Sequence, residues 1–134
     1  VTKLLVIAKA PAPGRVKTRL QPPCTQIEAA RIARAALTDT LDAALAVDGV
    51  EPVLVLDGRP GPWLPGGVHV VPQSHGTLGQ RLDAAFAGAG GPAVLIGMDT
   101  PQVSPAMLAR AVHSLGCPGV DAVFGEADDG GWWI

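Results

Sequence analysis

Cysteine is scarce in this chain. Cys24 and Cys117 are the only two in 134 residues, too few for a disulfide framework at this size, so both are expected to be buried free thiols. Charge is also sparse, at 16% of residues against 48% apolar. With no low-complexity tract, that balance points to a packed core rather than disorder. Long apolar runs are missing: the first residues hold only Leu-Leu-Val-Ile-Ala before Lys9, too short for a signal-peptide core or a membrane span. A cytoplasmic protein without a membrane partner is expected. The formal net charge is −2, so nucleic acid is not an expected partner.

Several chemistries lack their residues. A P-loop needs glycine directly before Lys-Thr, and Val16 stands there. The dinucleotide fingerprint G-x-G-x-x-G does not occur. No His/Cys cluster has the spacing of a zinc site. No Ser/His/Asp or Cys/His set supports covalent catalysis. Neither an internal repeat nor a composition break divides the chain, so residues 1–134 are expected to form one domain.

What is present is unevenly distributed. Residues 1–34 carry seven of the ten basic residues and a single acid, Glu28; residues 35–134 carry three basic residues and eleven acids. A cationic start facing an acidic remainder suits a polyanionic ligand held with a divalent cation. The apolar pattern alternates between strand and helix. Leu4–Ala8, Pro52–Asp57, Val68–Val71, Ala93–Met98 and Asp121–Gly125 read as strands, with Trp132–Ile134 opening another. Thr25-x-x-Glu28 is a capping box before a helix with Ile27, Ala30, Ala33, Leu37, Leu41, Ala44 and Leu45 at helical spacing. Gln80–Phe86 and Ala106–Leu115 read as two further helices, the second capped by Ser104-Pro105 and stopped by Gly116. Such alternation predicts an α/β fold, a mainly parallel sheet flanked by helices. Ending on Trp-Trp-Ile, without a turn, suggests that the C-terminal part of the domain lies beyond Ile134.

In such sheets ligands bind at the carboxyl ends of strands, and the first loop is the usual phosphate site. That loop reads Lys9-Ala-Pro-Ala-Pro-Gly14-Arg15-Val-Lys17-Thr-Arg19-Leu. Arg15, Lys17 and Arg19 share one side if extended, and Arg15 and Arg19 share a face if helical. Guanidinium groups fork onto phosphate oxygens, while Lys17 acts as a compact charge. Asp99, directly after the fourth strand, would offer a carboxylate to Mg²⁺ or Mn²⁺ at the same edge, or else cap the turn into Thr100-Pro101. Asp128 and Asp129, before Gly130-Gly131, could complete a metal site or sit in a solvated turn. Gly76 and Gly79 could let backbone approach a base or ribose, with Arg81 on a phosphate, or merely turn the chain into a helix. Asp57 could hold a ribose hydroxyl. His75 and the tryptophans read as surface and packing residues.

Ala-Lys-Ala-Pro-x-Pro-Gly-x-Val-Lys-Thr-Arg-Leu resembles the opening of the radical-SAM/selenodomain-associated transferase family. Three further segments resemble that family in order: Ser-His-Gly-Thr-Leu-Gly-Gln-Arg-Leu (74–82), Leu-Ile-Gly-Met-Asp-Thr-Pro (95–101) and Asp-Asp-Gly-Gly-Trp-Trp-Ile (128–134). The resemblance implies the nucleotide-diphospho-sugar transferase superfamily, with its Rossmann-like glycosyltransferase-A fold. Relatives there include guanylyltransferases acting on phospholactate and on molybdenum cofactor. It also implies that Asp99 is the superfamily's metal aspartate, single here where many glycosyltransferases have Asp-x-Asp. The expected activity is therefore a metal-dependent transferase using a nucleotide-activated donor. Lys17 and Asp99 would be catalytic, and a small molecule would be the acceptor. Glycosyl transfer from a nucleotide sugar and nucleotidyl transfer from a nucleoside triphosphate both fit, as does a catalytically silent nucleotide-binding module.

Overall fold

A computed structural model describes residues 1–100, 102–128 and 132–134, the Thr18 side chain excepted. Four strands, β1 (Thr2–Lys9), β2 (Val50–Asp57), β3 (His69–Pro72) and β4 (Ala93–Gly97), form one sheet in the order β3-β2-β1-β4. All three pairings are parallel. Three α-helices connect or follow them, α1 (Gln26–Leu45), α2 (Leu78–Ala89) and α3 (Pro105–Leu115), and a short 3-10 turn, Thr18–Leu20, lies in the loop after β1.

β1 is central and apolar on both faces, as a strand covered on both sides must be. Its Leu4, Val6 and Ala8 pack with Leu37 and Leu41 of α1 and Leu108 of α3. Leu5 points the other way, with Val53, Val55 and Leu95, onto Ala85 and Ala89 of α2. The sheet thus lies between α1 and α3 on one face and α2 on the other. The chain builds outward from β1 to β2 and β3, then returns to place β4 on β1's other side. That reversal opens a crevice between the carboxyl ends of β1 and β4.

Helix starts are specified locally. The Thr25 hydroxyl accepts from the Glu28 N–H at 3.1 Å, and the Glu28 carboxylate accepts from the Thr25 N–H at 3.1 Å. Thr77 and Gln80 make the same reciprocal pair for α2, starting that helix two residues before the sequence reading placed it. Among the described residues no helix is long and apolar enough to cross a membrane.

Three expectations need correction. Asp121–Gly125 is not a strand: among the described residues, no backbone hydrogen bond ties 121–124 to the edge of β4, and Phe124 is 69% exposed. Gly125 instead exchanges hydrogen bonds with Trp133 and Ile134, and Glu126 bridges Trp132 in antiparallel fashion. Apolar content is necessary for a strand, but a ladder needs a partner in register. Ile27 belongs to the helical repeat yet is 58% exposed, and α1 buries residues only from Ala29 onward. Cys24 and Cys117 are free but only half-buried.

Replacing Leu54, which is fully buried, by Ala should reduce the unfolding free energy by about 2–5 kcal/mol. Ile27→Ser should stay within about 0.5 kcal/mol of the parent; urea denaturation of both variants checks the pair. The Thr25 backbone and hydroxyl hydrogen bonds, then Arg31, hold the Glu28 carboxyl below its ordinary pKa. A depressed pKa stabilises the fold above the unfolded-state value, and this contribution is lost as pH falls through the lowered one. The stability advantage of the parent over Glu28→Gln should therefore be full at neutral pH and vanish in acid, as measured by thermal melts across that range.

Candidate nucleotide-phosphate site

The loop leaving β1 folds over the β1–β4 crevice. Ala10 N–H donates to the Asp57 carbonyl at 2.7 Å, extending the β1–β2 ladder by one residue. Lys9 N–H turns the other way, to Met98 Sδ at 3.4 Å. Val16 is buried against Ala30 and Ala33 of α1, with Met98 beside them. This apolar anchor sits in the middle of the basic run and leaves its neighbours facing solvent. Gly14 takes a φ of 79°, a left-handed turn that a side chain would strain.

Lys9, Arg15, Lys17 and Arg19 consequently line one cavity of about 500 Å³, with Met98 and Asp99 on its far wall. Lys17 Nζ lies 2.9 Å from Asp99 Oδ1, and their side chains are 23% and 74% exposed. Lys17 adopts a φ of 48°. For a non-glycine residue that conformation costs roughly 1–2 kcal/mol, and strain of this kind clusters at functional sites. Four cations around one carboxylate leave a strong positive excess, which a polyanion would neutralise.

Asp99 offers the donor chemistry of a metal ligand. A carboxylate oxygen suits a hard cation, and Mg²⁺ is commonly held by one or two carboxylates plus substrate phosphates. Among the described residues, no group of three His, Cys, Asp or Glu side chains forms a cage. The Asp99 carboxylate is 74% exposed and so open to a hard cation. Asp128 is exposed, and Asp129 lies outside the described residues.

The remaining candidates do not line this cavity. Asp57 ends β2, opposite Lys9 in the β1–β2 register. Gly76 needs to be glycine: its φ is 119°, and a Cβ there would collide with the Gln80 amide that caps α2. Gly79 has no such requirement, since it lies within the first turn of α2 and a Cβ would meet only open space and Thr77. Arg81, also within α2, donates from Nη1 to the Gln73 Oε1 at 2.6 Å. Gln73 was not legible as a site residue; its only sequence signal is its place directly after an apolar run.

A larger groove, about 720 Å³, follows the outer edge of β4. Among the described residues Asp121 is its only charged lining residue, beside Phe86, Val123, Phe124 and Trp132. Such walls offer little to phosphates.

Residues 31–134 match the model of a family described as uncharacterized proteins conserved in bacteria, DUF2064. The chain belongs to the DUF2064 family. No curated protein matches it. The crystal structure of a provisionally named nucleotide-diphospho-sugar transferase from Desulfovibrio desulfuricans G20 superposes with a TM-score of 0.86 at 26% identity. The match covers 98% of this chain and 61% of that one. The DUF2064 chain thus has the nucleotide-diphospho-sugar transferase fold, as its motifs implied, and spans about three-fifths of the matched protein's length.

The Lys17–Asp99 pair is half open to water, where such pairs contribute about 0.2–1 kcal/mol. Lys17→Met should therefore change the unfolding free energy by less than about 1 kcal/mol. Its affinity for pyrophosphate should drop roughly tenfold or more, because a charge-assisted contact is lost. Urea melts and calorimetry decide between these roles, and a large loss of stability with unchanged affinity would make the pair a purely structural link.

Proposed function

We propose that this DUF2064 chain carries the donor-binding part of a metal-dependent transferase that uses a nucleotide-activated donor, with glycosyl transfer from a nucleotide sugar as the primary reading. The observation that carries it is the convergence of Lys9, Arg15, Lys17 and Arg19 with Asp99 at the carboxyl ends of β1 and β4. The likeness to the Desulfovibrio protein, whose name specifies a nucleotide-diphospho-sugar transferase, supports the reading. The narrower kinship with radical-SAM- and selenodomain-associated transferases rests on the four sequence motifs. A cytoplasmic setting and a small-molecule acceptor complete the proposal.

In this scheme Arg15 and Arg19 hold the donor's phosphates, each guanidinium able to fork onto two oxygens. Lys17 leaves Asp99 for a phosphate oxygen on the leaving side, where its charge offsets the charge that develops as the bond to the transferred group breaks. Asp99, freed of Lys17, would hold Mg²⁺ or Mn²⁺. Such an ion supplies Lewis-acid stabilisation of a leaving diphosphate. Val16 and Met98 keep the floor of the cavity apolar and fix the loop beneath the cations.

The density of positive charge favours a second reading, nucleotidyl transfer from a nucleoside triphosphate. Four cations match a triphosphate better than a diphosphate. A thermal-shift panel of nucleotide sugars and nucleoside triphosphates, with and without Mg²⁺ or Mn²⁺, separates the two. Ligand at a hundred times its dissociation constant stabilises the fold by ~2.7 kcal/mol. A response to nucleotide sugars supports glycosyl transfer, one to triphosphates supports nucleotidyl transfer, and silence to both removes the proposal.

Asp99→Asn should remove the enhancement of nucleotide affinity by Mg²⁺. Metal-free affinity should equal or exceed that of the parent, because the variant releases Lys17 and removes a charge that repels phosphate. Calorimetry on both proteins, with Mg²⁺ and with chelator, reads this out. An enhancement that survives in the variant would take Asp99 out of the metal site.

A further inference from the structure

Gln73 follows β3, and its N–H extends the ladder to the Leu56 carbonyl at 2.9 Å. Its side-chain amide then crosses the carboxyl edge of the sheet. Nε2 donates to the Ala8 carbonyl of β1 at 3.1 Å and to the Val55 carbonyl of β2 at 3.4 Å. With both hydrogens directed at strand carbonyls, Oε1 is left to accept from Arg81 Nη1 at 2.6 Å. Ala8 directly precedes Lys9, which lines the basic cavity. Gln73 is therefore a rigid link between the strand that feeds the basic loop and the guanidinium of Arg81.

The choice of partner matters. A structural arginine is commonly paired with a carboxylate, which fixes the side chain and cancels its charge. Among the described residues Arg81 has no carboxylate partner, and its Nε is buried with no hydrogen-bond partner at all. An unsatisfied buried donor on a charged group is costly and calls for a reason. A neutral amide that orients the guanidinium without neutralising it supplies one: the charge is kept for an anion. The basic loop anchors on the α1 face of the sheet through Val16, whereas Arg81 belongs to α2 on the opposite face. A ligand touched by both must lie across the carboxyl edge, where Gln73 sits.

We propose that Gln73 is a positioning residue that aims Arg81 at the phosphates of the bound nucleotide, so that cations from both faces of the sheet grip one diphosphate or triphosphate. This inference rests on the nucleotide-binding reading above and names a residue that reading does not require.

The test is pyrophosphate and nucleoside triphosphate affinity, by calorimetry, for the parent, Gln73→Met, Arg81→Met and the double variant, with Arg15→Ala alongside. Each single change at 73 or 81 should weaken binding of both probes about tenfold or more. The double variant should bind no more weakly than Arg81→Met alone, because Gln73 acts only through Arg81. A purely structural Gln73 would lower the melting temperature and leave affinity, or would add its effect to that of Arg81. Unchanged affinity in Gln73→Met, or additive losses, overturns the proposal. If Gln73→Met fails to fold, Arg81→Met, which keeps Gln73 on the strand carbonyls, decides alone, and parental affinity there overturns it. A parent that binds neither probe overturns both this inference and the nucleotide reading. Binding lost in Arg15→Ala but kept in both Gln73→Met and Arg81→Met overturns this inference alone.

Discussion

The site depends on the parallel pairing of β1 with both β2 and β4. A strand in that position must be apolar on both faces, and Leu4 to Ala8 meet the requirement without a polar residue. The same pairing puts the carboxyl ends of β1 and β4 side by side. Lys9 leaves one end and Asp99 the other. Shifting the β1–β4 register by one residue would turn Leu4 and Val6 away from α1 and α3. It would also pull the basic loop out of reach of Asp99. Core burial and site geometry are thus set by one ladder, and the hydrophobic term, the larger of the two, holds the smaller electrostatic one in place.

Electrostatics in the crevice run against stability. Four cations crowd one cavity, and among the described residues only Lys17 pairs with a carboxylate. The arrangement persists because the charges sit at a wet rim, where repulsion is screened. The apolar contacts of Val16 beneath them fix the loop without their help. A left-handed lysine adds strain at the same point. A loop selected for stability alone would have glycine at 17 and fewer cations. The departures from that ideal coincide on a few residues, which is the pattern expected where function sets the terms.

Much of this was legible in the sequence because its causes are local. Apolar runs gave β1, β2 and β4; the Thr25–Glu28 and Ser104-Pro105 signals gave the starts of α1 and α3; charge density marked the loop. What escaped has non-local causes. Asp121–Gly125 carries strand-like residues, but no neighbour pairs with 121–124 in register. The Thr77–Gln80 capping box is written in the letters, but Gly76 and Gly79 around it mask the helix start. Gln73 bonds to a residue 65 positions away, and nothing in a polar side chain after a strand announces such a partner. The pairing of Lys17 with Asp99 spans 82 positions; the sequence supplied both residues and their common edge, but not the contact.

The edge holds two of its cations by opposite means, and the contrast orders the site. Lys17 rests on a carboxylate, so its charge is cancelled until an anion or a cation competes for one member of the pair. Arg81 rests on a neutral amide, so its charge is never cancelled. The first arrangement lets a side chain change partners when ligand arrives, since an exposed ion pair is weak enough to break. The second keeps a side chain still, since the amide is itself tied to two strand carbonyls. A phosphate-bearing ligand entering this edge would meet one preorganised cation and one that must be recruited. Orientation ahead of binding reduces the entropy lost on complex formation, and the recruited lysine would leave Asp99 available at the moment the phosphates arrive. On the proposed reading, the two partners, Gln73 and Asp99, would separate the work of holding a ligand from the work of responding to it.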